Sequence, residues 1–282
     1  MLVFLAHRYT SEGIGWTRPV MYTALVGLTT NITANWLFTL GGLGIPSQGA
    51  TGCGIATALA CWAMLVTMHV YQRRHAIYRR FGLFERFDRP DPAALREILA
   101  LGLPIAGSVV SEGGLFVIAA LLMSTLGTTI VAAHQVALSY ASLMFMIPLS
   151  LHSATTIHVS HQVGRGDITS GRNAGWTGIA MCGAIMALSS LVILAARDGI
   201  AAAYTPDLDV RELAAWLLLF VALFQIPDGL QVGAAGALRG FKDANVPMAL
   251  NFIAYWAIGL PAAWGFGIHQ RVGPSGIWAG LI

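Results

Sequence analysis

Leu101–Leu122 reads LGLPIAGSVVSEGGLFVIAALL, an apolar stretch with a single charge, Glu112, near its middle. A helix that crosses a bilayer needs about 20 mostly apolar residues, and this stretch supplies them. A second stretch, Leu213–Leu238, carries Asp228 within FQIPDGLQ. Carboxylates at bilayer depth are expensive, so each of the two is a candidate functional group.

Composition points the same way. Of 282 residues, 56% are hydrophobic and 10% charged, with a mean hydropathy of +0.68. A soluble domain carries about 25% charged residues, so this chain cannot cover a water-facing surface. It reads as an all-α integral membrane protein whose constant partner is the lipid bilayer. A net charge of +3 argues against nucleic acid as a partner. Cys53, Cys61 and Cys182 lie in apolar runs without metal-ligand or disulfide spacing, so they read as small packing residues. No cofactor is implied. MLVFLAHR is too short an apolar run for a signal peptide, and GIWAGLI stops inside an apolar run. Both ends read as helices cut short.

Seven full spans are expected: Pro19–Leu40, Ala50–Gln72, Leu95–Met123, Thr128–Val163, Gly175–Ala196, Leu213–Leu238 and Val246–Ile268. Residues 1–6 and 274–282 read as pieces of two more. Tilt, a kink at Pro148 or overhang would absorb the excess length of 128–163.

Alternating the loops between two sides sorts the basic residues. Arg8, Arg18, Arg73, Arg74, Arg79, Arg80, Arg86, Arg89, Arg96, Arg165, Arg172, Arg239 and Lys242 fall on one side, and only Arg197, Arg211 and Arg271 on the other. The positive-inside rule makes the first side cytoplasmic, with loops 7–18, 73–94, 164–174 and 239–245. On this reading no Lys or Arg sits at membrane depth. The stretch YRRFGLFERFDRPDP at 78–92 reads as part of a cytoplasmic linker, residues 73–94, between a first bundle ending at 1–72 and a second at 95–282. Its Arg and Phe mixture also suits a headgroup surface.

A faint repeat runs through the chain. His7-Arg8-Tyr9, a turn with Glu12, Pro19, an apolar helix and Gly52-Cys53-Gly54 are echoed by Leu238-Arg239-Gly240-Phe241, Asp243, Pro247, an apolar helix and Gly273–Gly276. Pro19 and Pro247 are 228 positions apart. Both versions begin on the same side, which gives parallel repeats, one of the known transporter architectures.

The two acids share a depth. Asp228 precedes Arg239 by 11 residues, and Glu112 follows Arg96 by 16. At about 1.5 Å per residue both lie roughly 17–24 Å from the charged boundary, near the middle of a core about 30 Å thick. A buried carboxylate needs a counter-charge or a proton. A proton, a metal cation such as Na⁺, a cationic ligand, a histidine or a residue outside this chain would each serve. The first three describe a cation-coupled transporter. The bland alternative is a pair of protonated acids bonded between helices. Ser111, Gly113 and Gly114 leave room around Glu112, and Pro227 frees a carbonyl near Leu223 that suits a hard cation. Gln225 and Gln231 add polar groups. His134, His152, His158 and His161 fit core or interface roles best, with a proton relay at His134 as the sharper alternative. The tryptophans read as belt or packing residues. Tyr140, Asn251 and Tyr255 are further candidates for lining a polar cavity.

GWTRPVMY at 15–22, GLPIAGSVVSE at 102–112, AHQVAL at 133–138, SLMFMIPLSL at 142–151, PDGLQV at 227–232 and GALRGFKD at 236–243 together resemble the MATE multidrug exporters of the NorM-like branch. The resemblance implies twelve helices in two six-helix bundles, of which this chain covers the end of the fourth helix to the start of the twelfth. It implies export of organic cations and drugs in exchange for Na⁺ or H⁺ at the bacterial inner membrane, and a need for the missing N-terminal bundle. It implies that Glu112 and Asp228 form the cation site, with Gln135 facing the cavity. Sodium-site members usually have a tyrosine four residues before the second acid. Phe224 stands there, which favours protons. A lipid-linked precursor flippase would want several cationic residues in the cavity. A seven-helix receptor matches the count of full spans but not the repeat or the two unpaired acids. An enzyme is disfavoured because no metal triad or nucleophile–base pair shares a depth.

Overall fold

The computed structural model describes residues 1–84 and 91–282, with Leu43 described by its backbone alone. Residues 85–90 of the expected linker, Arg86 and Arg89 among them, lie outside the described residues. The described residues are helical and contain no strand. They divide into two compact units, Met1–Pro90 and Asp91–Ile282, with the boundary inside the Arg73–Pro92 stretch.

The first unit holds α1 (Leu2–Gly13), α2 (Arg18–Ala34), α3 (Gly49–Arg74) and the single turn α4 (Ala76–Arg79). Residues 7–13, expected as a turn, are helical, because Arg8 and Glu12 pair across one helical turn at 2.7 Å. α2 runs on as a π-helical stretch, Asn35–Thr39, so the first expected span is a 17-residue helix lengthened by five residues. One end of this unit is held by a buried polar cluster. The Gln72 amide bonds His7 Nδ1 at 2.6 Å, the His7 carbonyl at 2.8 Å and Ser11 Oγ at 3.2 Å, while Ser11 Oγ meets the Tyr78 hydroxyl at 2.7 Å. Gln72→Leu keeps the volume and strands these groups, which costs about 1–3 kcal/mol for each buried polar atom left unpaired. A lowered melting midpoint by tryptophan fluorescence is the expected result.

The second unit begins with α5 (Pro92–Ser124). The Asp91 side chain caps it by accepting from the Ala93 N–H at 2.9 Å, and Pro92 takes the first helical position, where a missing N–H is harmless. α6 (Thr128–Gly164), α7 (Ile168–Tyr204) and α8 (Leu208–Gly240) follow. Asp167 and Asp207 cap α7 and α8. Backbone amides hold the exposed Asp167 carboxyl below the usual range. α6 is continuous through Pro148, and α8 through Pro227. At 33–37 residues, these helices are about 50 Å long, so they overhang a bilayer core of about 30 Å. α9 (Asn245–Phe252) continues through a π stretch, α10 (Leu260–Trp264) and a second π stretch to His269, and α11 (Pro274–Leu281) closes the chain.

Among the described residues, six helical stretches are long and apolar enough to span a membrane. Half of the apolar window of α8 is buried, against 28% or less for the others, so α8 is the central helix. Leu217, Leu218, Val221 and Ala222 of α8 pack with Ile193, Met123, Ile277 and Trp278 in the core. Val110, Val117, Leu121, Leu191 and Leu194 face outward, the arrangement a lipid solvent demands.

Glycines set the closeness of α8 to its neighbours. A Cβ on Gly236 would sit 2.8 Å from the His152 carbonyl, and one on Gly233 2.8 Å from the Ile179 backbone. Small residues at such crossings let membrane helices approach without an intervening side chain. The repeat also has a structural counterpart within each unit. α2 ends in a π stretch containing Phe38, and Gly52 of the next helix packs on the Phe38 carbonyl. In the second unit a π stretch contains Phe266, 228 positions later, and Gly276 packs on the Phe266 carbonyl.

Candidate functional site

Four helices of the second unit, α5, α6, α8 and α9, line a cavity of about 550 Å³. From α5 it takes Ser108, Glu112 and Phe116, which are spaced four residues apart on one face. From α8 it takes Phe224, Gln225, Asp228, Gln231, Val232, Ala235 and Arg239, spaced by three and four. Leu138, Ser142, Phe145, Leu149 and His152 continue the wall along α6, and Asn251 of α9 closes one side. Both acids therefore meet in one cavity, as their shared depth required. Glu112 is half-buried and Asp228 is 7% exposed.

The polar lining is incompletely paired inside the protein. Gln225, 1% exposed, has no partner among the described residues for either amide atom, and neither has the Ser108 hydroxyl at 3%. Buried polar atoms are nearly always bonded, so such a set faces water, an ion or a ligand. Gln231 is held instead: its amide donates to Asn251 Oδ1 at 3.0 Å and to the Tyr255 hydroxyl at 2.6 Å. Phe224 stands edge-on to Phe116, 6.1 Å between ring centres, and forms an apolar wall beside the acids. No group of three or more His, Cys, Asp or Glu is gathered in a metal-binding arrangement among the described residues. A hard cation here would draw on the two carboxylates and on amide or hydroxyl oxygens.

Several expectations meet a different geometry. Gln135 is exposed and does not line the cavity. It shares a helix face with Leu138 and Ser142 but lies one turn beyond them, where α6 has passed the cavity. Tyr140 is buried in the core rather than lining the cavity. His134 is 1% exposed beside Trp278, ring centres 5.6 Å apart, and neither ring nitrogen has a hydrogen-bond partner among the described residues.

Arg239 lines the cavity with both acids. The signal was in the spacing. Eleven residues are three helical turns within about 20°, so Arg239 and Asp228 share a face of α8. Side chains also lean toward a helix's N-terminus, which lets the long guanidinium stem line the cavity from the end of α8. His152 receives it, with Arg239 Nη1 3.0 Å from its Nε2.

Residues 104–264 match the family model described as MatE. The chain belongs to the MatE family. It is 43% identical over 279 residues to the "Probable multidrug resistance protein NorM" of Xanthomonas axonopodis pv. citri, covering 99% of this chain and 61% of that protein. It is 41% identical to the "Multidrug resistance protein PmpM" of Pseudomonas aeruginosa, covering 98% and 58%. An outward-facing multidrug resistance MATE transporter of the MOP superfamily superposes with a TM-score of 0.87 at 18% identity, over 98% of this chain and 60% of that one. The eukaryotic MATE transporter AtDTX14 superposes at 0.83 and 20% identity, over 93% and 58%. The chain thus spans about three-fifths of the length of the MATE proteins it matches.

Proposed function

We propose that this MATE chain carries the coupling site of a secondary antiporter, not an enzyme. On this reading it exports small organic cations and drugs in exchange for Na⁺ or H⁺. The observation that carries the reading is the meeting of Glu112 and Asp228, from helices of opposite direction, in one membrane-depth cavity. Two carboxylates there have a low-dielectric surrounding, so a cation bound between them is held far more strongly than in water. A coupling ion and a cationic substrate cannot both satisfy the same pair, and competition for it couples the two fluxes. The names of the bacterial relatives, multidrug resistance proteins, support export of drugs. Phe224 brings no hydroxyl to the acids, which supports H⁺ over Na⁺. Gln135 then serves the pathway outside the cavity rather than the coupling pair. The protein would lie in the inner membrane of a bacterium, with loops 7–18, 73–94, 164–174 and 239–245 in the cytoplasm and the first bundle completing the pathway.

The test uses the product of the complete gene in proteoliposomes loaded with a cationic dye. An imposed pH gradient is expected to drive efflux, and a sodium gradient of equal size to drive little. Efflux that follows sodium alone would reverse the ion assignment. No efflux under either gradient would remove the organic-cation reading and turn attention to lipid-linked substrates.

A further inference from the structure

We propose that the end of α3 and the turns that follow it form a binding site for the phosphate of an anionic phospholipid, held between Arg73 and Arg79.

The site is a cavity of about 290 Å³ within the first unit. That is the small end of ligand pockets and suits a headgroup better than a drug-sized molecule. Its floor is Gln72 and Tyr78, both buried and both bonded already in the polar cluster with His7 and Ser11. The floor is therefore a rigid, neutral seat. The charge comes from Arg73 and Arg79, which line the cavity and are exposed. A guanidinium presents a planar fork of N–H donors that matches phosphate oxygens. Among the described residues no carboxylate pairs with either arginine. Arg73 is steered by the Phe84 ring, with its guanidinium carbon 5.4 Å from the ring centre. A ring face attracts a cation through its quadrupole and leaves N–H donors for a ligand. Gly82, at a φ of 60°, makes the turn that brings Phe84 back over α3, a conformation glycine adopts without strain.

The surroundings select a lipid over a free anion. Leu59, Trp62, Val66 and Val70 are exposed along one face of α3, a helix long and apolar enough to cross a membrane. Their spacing of three and four continues directly to Arg73. The cavity thus lies where a lipid-facing surface gives way to charge, the level of headgroup phosphates. Leu83 and Phe84 add exposed apolar side chains to the cavity wall. Basic and apolar groups side by side fit a phosphate joined to a glycerol and acyl chains.

The experiment titrates the purified product of the complete gene, in an uncharged detergent, with dioleoylphosphatidylglycerol and counts bound lipids by native mass spectrometry. One phosphatidylglycerol is expected to bind more tightly than those that follow, and dioleoylphosphatidylcholine to show no such tight site. Arg73→Gln and Arg79→Gln are each expected to weaken the tight site about fivefold, the scale of one basic side chain at an anionic membrane surface. Arg74→Gln and Arg80→Gln remove neighbouring charges that do not line the cavity, and are expected to leave the tight site unchanged. All four arginines are exposed, so the variants keep their core, and a melting curve for each checks this. Equal losses in all four overturn the site in favour of a diffuse basic surface. Release of the tight lipid by millimolar inorganic phosphate overturns the lipid and reassigns the cavity to a soluble phosphate. A tight lipid retained in the Arg73→Gln/Arg79→Gln double variant overturns the proposal outright.

Discussion

Asp228→Asn and Glu112→Gln are each expected to abolish ion-driven dye efflux, a loss of more than tenfold, while the protein remains folded. Each amide keeps the shape of the acid it replaces, so the walls supplied by α5, α6 and α8 are undisturbed. On the proposed reading, what disappears is the charge for which a coupling ion and a substrate would compete. The double variant is expected to be no worse than either single one, because the two acids act as a unit and their effects do not add. Efflux in proteoliposomes, beside a melting curve and size-exclusion profile for each variant, checks both halves of the prediction. Coupled efflux retained in either single variant would rule out exchange at this pair.

The second large effect is structural. Gly236→Ala is expected to destabilise the second unit by about 1–3 kcal/mol, the usual result of forcing a methylene-sized group into a filled helix crossing. The new Cβ would press on the His152 carbonyl at 2.8 Å and on His152 Nδ1 at 3.0 Å. α6 must then move off α8, and the bond from His152 to Val232 lengthens with it. Gly199→Ala is the matched control. No neighbouring atom lies within 4 Å of its added Cβ, and an alanine inside α7 favours helix by up to about 1 kcal/mol. A lower melting midpoint for Gly236→Ala and an unchanged or higher one for Gly199→Ala is the expected pair of results. Equal midpoints would mean that the α6–α8 crossing tolerates separation.

These two predictions draw on different kinds of information. The depth of Glu112 and Asp228 was legible without any structure, because rise per residue is a local property of a helix. Counting from Arg96 and Arg239 puts the two acids at a similar height along α5 and α8, and both line one cavity. The helix starts were legible for the same reason: Pro92, capped by Asp91, needs only its own neighbours to begin α5. The apolar surface was legible too, since a chain with 10% charge has no other solvent to face.

Rotation about each helix axis, and the partner met there, were decided only by tertiary structure. Gln135 shares its cavity-side face with Leu138 and Ser142, yet the cavity ends one turn short of it. Arg239 sits at the expected height on α8, but whether its side chain runs outward or back along the helix depends on an acceptor. One acceptor of its guanidinium, His152, is 87 positions away in sequence. Gln231 likewise finds Asn251 of α9 and Tyr255 of the π stretch that follows it, a meeting no local pattern encodes. Hydropathy and helical rise are sums over a short window and can be read in order. Which side chains complete one another's hydrogen bonds depends on contacts across the bundle, and those exist only once the helices have packed.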